Sequence, residues 1–258
     1  MLGNLINYEL FKKWKHLRIL FLGSMALQVV LLILGKVFQG NATVFPIDDK
    51  KASVLIIIIL FFTIASFLIN LPVIENIYRF ERDLSGKQAV LELMIPAAAW
   101  KKILAKLIAA LTTTLLSVLW GALSVLAFFI IFSNFDPEVI DQIKFAFGII
   151  ADHPGKSVYV LFLVILGLTF IHLLFFFCTS MAKAFSHKHK IAIPIALIVF
   201  ILCIILMTFL SRQSAYFPII WFRILGAEFW LSMVLIWLAA TLAAFAGTSW
   251  LMERKIEN

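Results

Sequence analysis

The sequence predicts an all-α integral membrane protein with six transmembrane helices. Hydrophobic residues make up 63% of the 258 positions and charged residues only 14%, whereas soluble domains average roughly 45–50% and about 25%. Six stretches lack Asp, Glu, Lys and Arg, and most reach the ~20 residues that a bilayer-crossing helix needs. This composition excludes a soluble enzyme, a disordered chain and a coiled coil, and it leaves no room for an ATPase domain.

The spans follow from these apolar runs, taken in order along a single membrane domain that covers residues 1–258. The run after Arg18 is short, but Lys36 can reach outward and lengthen it. The six spans are predicted at about 18–38, 53–74, 107–133, 158–181, 191–211 and 229–251.

The distribution of Lys and Arg predicts that both termini are cytoplasmic. The terminal and connecting segments on that side carry 15 Lys and Arg, the segments on the other side carry 7, and the acidic residues are divided equally. Cytoplasmic loops of membrane proteins are enriched in Lys and Arg. Topology therefore explains the whole net charge of +8, and we expect no nucleic-acid partner.

Residues 2–17 are predicted to form an amphipathic helix that lies flat at the cytoplasmic membrane surface. Ile6, Leu10 and Trp14 recur at a helical spacing and share one apolar face, while most of the lysines lie elsewhere. Helices of this type bind the membrane interface. The alternative is a positively charged anchor that only fixes topology.

The longest cytoplasmic connection, residues 75–106, contains a predicted short helix at about 85–95. Ser85 and Gln88 have the spacing of a capping box, and Pro96 ends the helix. The helix is mostly apolar. An apolar helix in the cytoplasm either packs on the membrane surface or docks in a groove of a partner protein.

Two predicted features lie on the outer side. Asp136 and Pro137 resemble a helix cap and a first-turn proline, and an apolar stripe follows, which predicts a surface helix. Residues 212–228 are too apolar for a free loop and too broken for a seventh span, so we expect a re-entrant or interfacial hairpin between spans five and six.

No acidic or basic residue lies deep in a predicted span. Ion-coupled transporters usually keep such a residue to carry the coupling ion, so this pattern argues against that class. His172 in span four is either a packing residue or part of a transport path. Neutral polar residues that share helix faces in the first two spans are further candidates for a substrate path: Ser24, Gln28, Thr63, Ser66 and Asn70.

The motifs of catalysis and metal binding are missing from the sequence. Residues 153–157 lack the first glycine of a phosphate loop, and there is no paired-acid site, hydrolase elbow or His-Glu-x-x-His. An intramembrane enzyme would need a site around His172. We therefore expect a non-catalytic chain with no metal or cofactor of its own.

The loop between spans two and three carries a resemblance to a known family. Phe80-Glu-Arg-Asp83 looks like an acid-rich start, Leu93-Met-Ile-Pro96 like a "leucine, two residues, proline" stop, and Ile103-Leu-Ala-Lys-Leu107 like a Lys-Leu approach to span three. With these motifs, the order of the predicted elements resembles that of permeases of the type-2 ABC export family.

This resemblance implies a dimer with a second permease copy or a paralogue, and separate ABC ATPase subunits that bind ATP and Mg²⁺. It implies export of hydrophobic or amphipathic substrates, peptides above all, through a bacterial plasma membrane. The small size is similar to that of phenol-soluble modulin exporter permeases. The residues placed at or near the ATPase groove are Asp83, Ser85, Gly86, Gln88, Leu91, Glu92 and Met94.

Two other functions stay open at this point. One is an ATPase-independent immunity protein that sequesters a peptide in the membrane. The other is an exporter of small drugs or lipids.

Overall fold

The computed structural model describes residues 2–40, 47–84, 96–133, 136–185, 189–213, 221–224 and 227–256. Within these ranges the chain forms α-helices, one short β hairpin and a closing turn of π-helix. The elements are α1 Leu2–Gly40, α2 Ile47–Leu84, α3 Ala99–Phe132, α4 Pro137–Asp152, α5 Pro154–Phe185, α6 His189–Gln213, β1 Trp221–Ile224, β2 Ala227–Trp230, α7 Leu231–Leu251 and the π-helical Met252–Ile256.

Six helical stretches among the described residues are long and apolar enough to cross a membrane. This confirms the predicted multi-pass helical membrane protein. The stretches are Leu17–Val37, Leu55–Leu84, Ala99–Phe132, Pro154–Phe185, Ile193–Leu210 and Val234–Arg254.

The predicted interfacial helix and the first span are one continuous helix, α1. A helix that lies flat on the membrane has to turn before it enters the first span, and α1 has no turn near residue 17. The flat placement of residues 2–17 on the membrane therefore stays a prediction without a break in the helix to support it.

The segment predicted as a re-entrant or interfacial hairpin contains β1 and β2. They pair antiparallel, with Trp221 opposite Trp230 and Ile224 opposite Ala227. The all-α prediction did not include these strands. The placement of the segment relative to the membrane stays a prediction.

The surface helix predicted after Asp136 is present as α4, and none of its residues is buried. The backbone N–H of Glu138 donates to Asp136 Oδ1 over 3.0 Å, so Asp136 caps the helix as its sequence position predicted.

The chain divides into two compact units, Met1–Glu9 with Val73–Leu111 and Ile150–Asn258, and Leu10–Pro72 with Thr112–Ile149. We call them unit 1 and unit 2. In unit 1, Phe80 of α2 stacks on Phe176 of α5 at 4.1 Å between ring centroids, in a core that includes Ile103 of α3.

In unit 2, a core of buried apolar side chains joins α1, α2 and α3 around Phe61. Pro72 lies inside α2 and has no N–H to give to the carbonyl of Leu68, four residues earlier. The hydroxyl of Ser117 on α3 donates to that carbonyl instead. A proline is tolerated in the apolar span because a neighbouring helix supplies the missing donor.

Candidate functional site: a buried ionic cluster and an apolar cavity

Three charged side chains from distant parts of unit 1 meet in its interior. Lys106 Nζ of α3 is 3.0 Å from Glu9 Oε1 of α1 and also bonds to Asp83 of α2. Each of the three residues is no more than 6% exposed. We call this group the ionic cluster.

The cluster exists because each acid needs a partner once it leaves water. An unpaired buried charge costs several kcal/mol, and a hydrogen-bonded ion pair offsets that cost. One lysine contacts both carboxylates here. Their contacts bind the start of α1, the end of α2 and the start of α3 to one another.

Further charges are paired at the same helix ends. Arg79 donates through Nε to Glu75 Oε1 over 2.6 Å within α2, and Lys183 of α5 lies 3.8 Å from Glu81 of α2. Lys183 is 5% exposed. The ends of α2, α3 and α5 therefore hold several partly or fully buried charges beside the core of Phe80 and Ile103.

Asp83 is the one residue of the predicted ATPase-contacting set that lies within the described ranges. Its carboxylate is buried against Lys106, so it faces the protein interior rather than a partner surface. The predicted helix 85–95 lies outside the described residues, and so do the other members of that set: Ser85, Gly86, Gln88, Leu91, Glu92 and Met94.

The predicted apolar face of residues 2–17 is only partly covered. Ile6 and Leu10 are half-buried, whereas Trp14 is 47% exposed. Neighbouring large side chains, such as Phe11, are also exposed.

The predicted substrate-path residues in unit 2 take part in hydrogen bonds among the described residues. Gln28 is buried and its Oε1 accepts from Ser124 over 3.0 Å. The other four take part in hydrogen bonds within their own helices. Ser24 donates to Leu20 O and Phe21 O, Thr63 to Ile59 O, and Asn70 to Ser66 O, and Thr63, Ser66 and Asn70 are exposed.

His172 is buried in α5 of unit 1, 1% exposed. Phe170 and Leu174 on either side of it line the cavity described next, but His172 does not. Its burial fits a packing residue better than a residue of a transport path.

A cavity of about 430 Å³ opens between α5, α6 and α7 of unit 1. Its lining is entirely apolar except for the thiol of Cys203. None of the predicted path residues lines it. The lining residues are Phe170, Leu174, Phe177, Cys203, Leu206, Met207, Leu210, Ile236, Ala239, Ala240, Ala243 and Ala244.

The roles of Glu9 and Lys106 were not predicted from the sequence, in which Lys106 stood out only in the approach to span three. A signal was present: each lies on the continuation of an apolar helix, where a charge must find a partner. The described residues contain no group of three or more His, Cys, Asp or Glu that could hold a metal ion.

No protein-family model, curated protein or solved structure matches this chain. The resemblance to type-2 ABC permeases therefore rests on the predicted order of the elements and on the sequence motifs.

Proposed function

We propose that this chain is the membrane-spanning permease subunit of an ATP-driven exporter whose ATPase is a separate protein. Six candidate spans and motifs that resemble the type-2 ABC family support this assignment. The proposed substrates are hydrophobic or amphipathic molecules, with peptides favoured.

The observation that carries the proposal is the ionic cluster, because two of its residues lie on either side of segment 85–95 in the sequence. Asp83 precedes the segment, Lys106 follows it, and the two side chains are bonded. A force applied to the segment by a partner would therefore reach α2 and α3 together. Glu9 extends the same connection to the start of α1.

In this mechanism the permease performs no chemistry. Binding of ATP and Mg²⁺ by the partner would move segment 85–95, and the connected helices would change the side on which the substrate is accessible. Such a change has an effect on transport only if the substrate binds the two states with different affinities.

Charge reversal within segment 85–95 tests the proposal. The tagged full chain is purified from its own host in mild detergent, and co-purifying proteins are identified by mass spectrometry. We expect an ABC ATPase at a fixed stoichiometry. Glu92→Lys should lower its recovery by about tenfold, the equivalent of about 1.4 kcal/mol. The matched control Glu253→Lys makes the same charge change at an exposed position and should keep the partner.

Purification without an ATPase, or equal recovery with Glu92→Lys, would contradict the proposal. Protection of cells from a peptide without any ATPase would instead favour the sequestration function.

A further inference from the structure

The apolar cavity of unit 1 forms because α6 and α7 both pack on α5 but diverge from each other. α5 packs extensively on both α6 and α7, whereas α6 and α7 touch each other little. Four of the five side chains of α7 that face the gap are small, Ala239, Ala240, Ala243 and Ala244, and the fifth is Ile236. Such a stripe permits close helix packing, but here it leaves the cavity open. We call this cavity the slot.

The slot has a buried floor and an open edge. Phe170 and Leu174 of α5 and Met207 of α6 are at most 9% exposed, whereas Leu206 and Leu210 of α6 are 55% and 37% exposed. The slot therefore opens at the outer surface of stretches that are apolar enough to lie in the membrane.

The slot is suited neither to holding water nor to remaining empty. A buried water needs two to four polar partners, and the lining offers only the thiol of Cys203. An empty slot would forfeit the dispersion contacts of its walls. Its occupant must therefore be apolar and must be available at the depth of the membrane hydrocarbon.

We propose that the slot is a saturable binding site for one acyl chain of a membrane phospholipid. Its volume of about 430 Å³ lies within the range of ligand sites, roughly 300–1,000 Å³. From Cys203 to Leu210 it extends along α6 for about 10 Å at 1.5 Å per residue. An acyl chain is apolar, as the lining is, and is available at the depth of the membrane hydrocarbon. The site requires no ATPase and stands apart from the proposed function.

Photolabelling of the full chain in phosphatidylcholine vesicles tests this site. The probe is a phosphatidylcholine with a diazirine in the middle of one acyl chain, present in trace amount. We expect labelling of the peptides 203–210 and 236–244 to exceed that of the other membrane-facing peptides.

Cavity-filling variants provide the decisive comparison. Ala240→Leu and Ala243→Trp place bulk in the slot and should lower labelling of these peptides by about tenfold, the equivalent of about 1.4 kcal/mol. Ala246→Leu and Ala246→Trp make the same changes on α7 at an exposed residue that does not line the slot, and they should label like the parent chain.

Uniform labelling of all membrane-facing peptides, or equal labelling of the filled and control variants, would overturn the proposal. Occupation by a second copy of the chain would also overturn it. In a Cys178→Ala background that outcome would appear as thiol cross-linking between Cys203 residues of two chains, together with loss of the photolabel.

Discussion

The ionic cluster of unit 1 and the hydroxyl contacts of unit 2 bury polar groups with different chemistry. In unit 1, Lys106 neutralises part of the charge of two acids from other helices. In unit 2, the hydroxyl of Ser117 donates to the backbone of α2, and that of Ser124 donates to the side chain of Gln28.

The difference follows from the cost of leaving each group alone. An unpaired charge in a protein interior costs several kcal/mol, whereas an unsatisfied neutral group costs about 1–3 kcal/mol. The charges of the ionic cluster accordingly have ionic partners at helix ends, whereas the hydroxyls of Ser117 and Ser124 lie along the spans and form only neutral hydrogen bonds. Changes in unit 1 should accordingly have larger effects than changes in unit 2.

The largest effect is expected for Lys106→Met. Removal of the lysine leaves two buried acids without their shared cation and should lower the free energy of unfolding by about 3–5 kcal/mol. The measurement is an unfolding titration with SDS in mixed micelles. Lys144→Met is the matched control because the Lys144–Asp141 pair is about 70% exposed (72% and 71%), and such pairs contribute about 0–1 kcal/mol.

The triple variant Lys106→Met, Glu9→Gln, Asp83→Asn should recover much of the lost stability, because the three charges of the ionic cluster are removed together. If Lys106→Met is as mild as Lys144→Met, the ionic cluster does not hold unit 1 together.

An intermediate effect is expected for Ser117→Ala. The carbonyl of Leu68 loses the donor that replaces the N–H missing at Pro72, at a cost of about 1–2 kcal/mol. Ser24→Ala removes a hydroxyl that bonds only the preceding turn of its own helix, so the free energy of unfolding should change by less than about 0.5 kcal/mol. Equal losses in the two variants would remove the special role of the Ser117 contact.

The smallest effect is expected for the Gln28–Ser124 pair. A double-mutant cycle with Gln28→Leu and Ser124→Ala should give a coupling energy of about 0.6 kcal/mol, the average for hydrogen bonds between membrane helices. The same SDS titration measures it. A coupling of 3 kcal/mol or more would make this neutral pair as strong as the ionic cluster and would remove the contrast between the units.

The spans could be predicted from sequence because the bilayer imposes a length and a polarity on each helix. Asp136 could be recognised as a cap because its partner lies two residues away. The Lys106–Glu9 contact could not be predicted, since 97 positions separate its partners and no local pattern reports such a pairing. The slot around Ala240 was missed because a stripe of small residues predicts close packing equally well.

The bond between Ser117 and the carbonyl freed by Pro72 has a consequence for how this fold can diverge. A chain with alanine at position 72 would regain the helical N–H, and the hydroxyl at position 117 would then be dispensable. The two positions, 45 residues apart in the sequence, should therefore vary together, with proline at one accompanied by a small hydroxyl residue at the other.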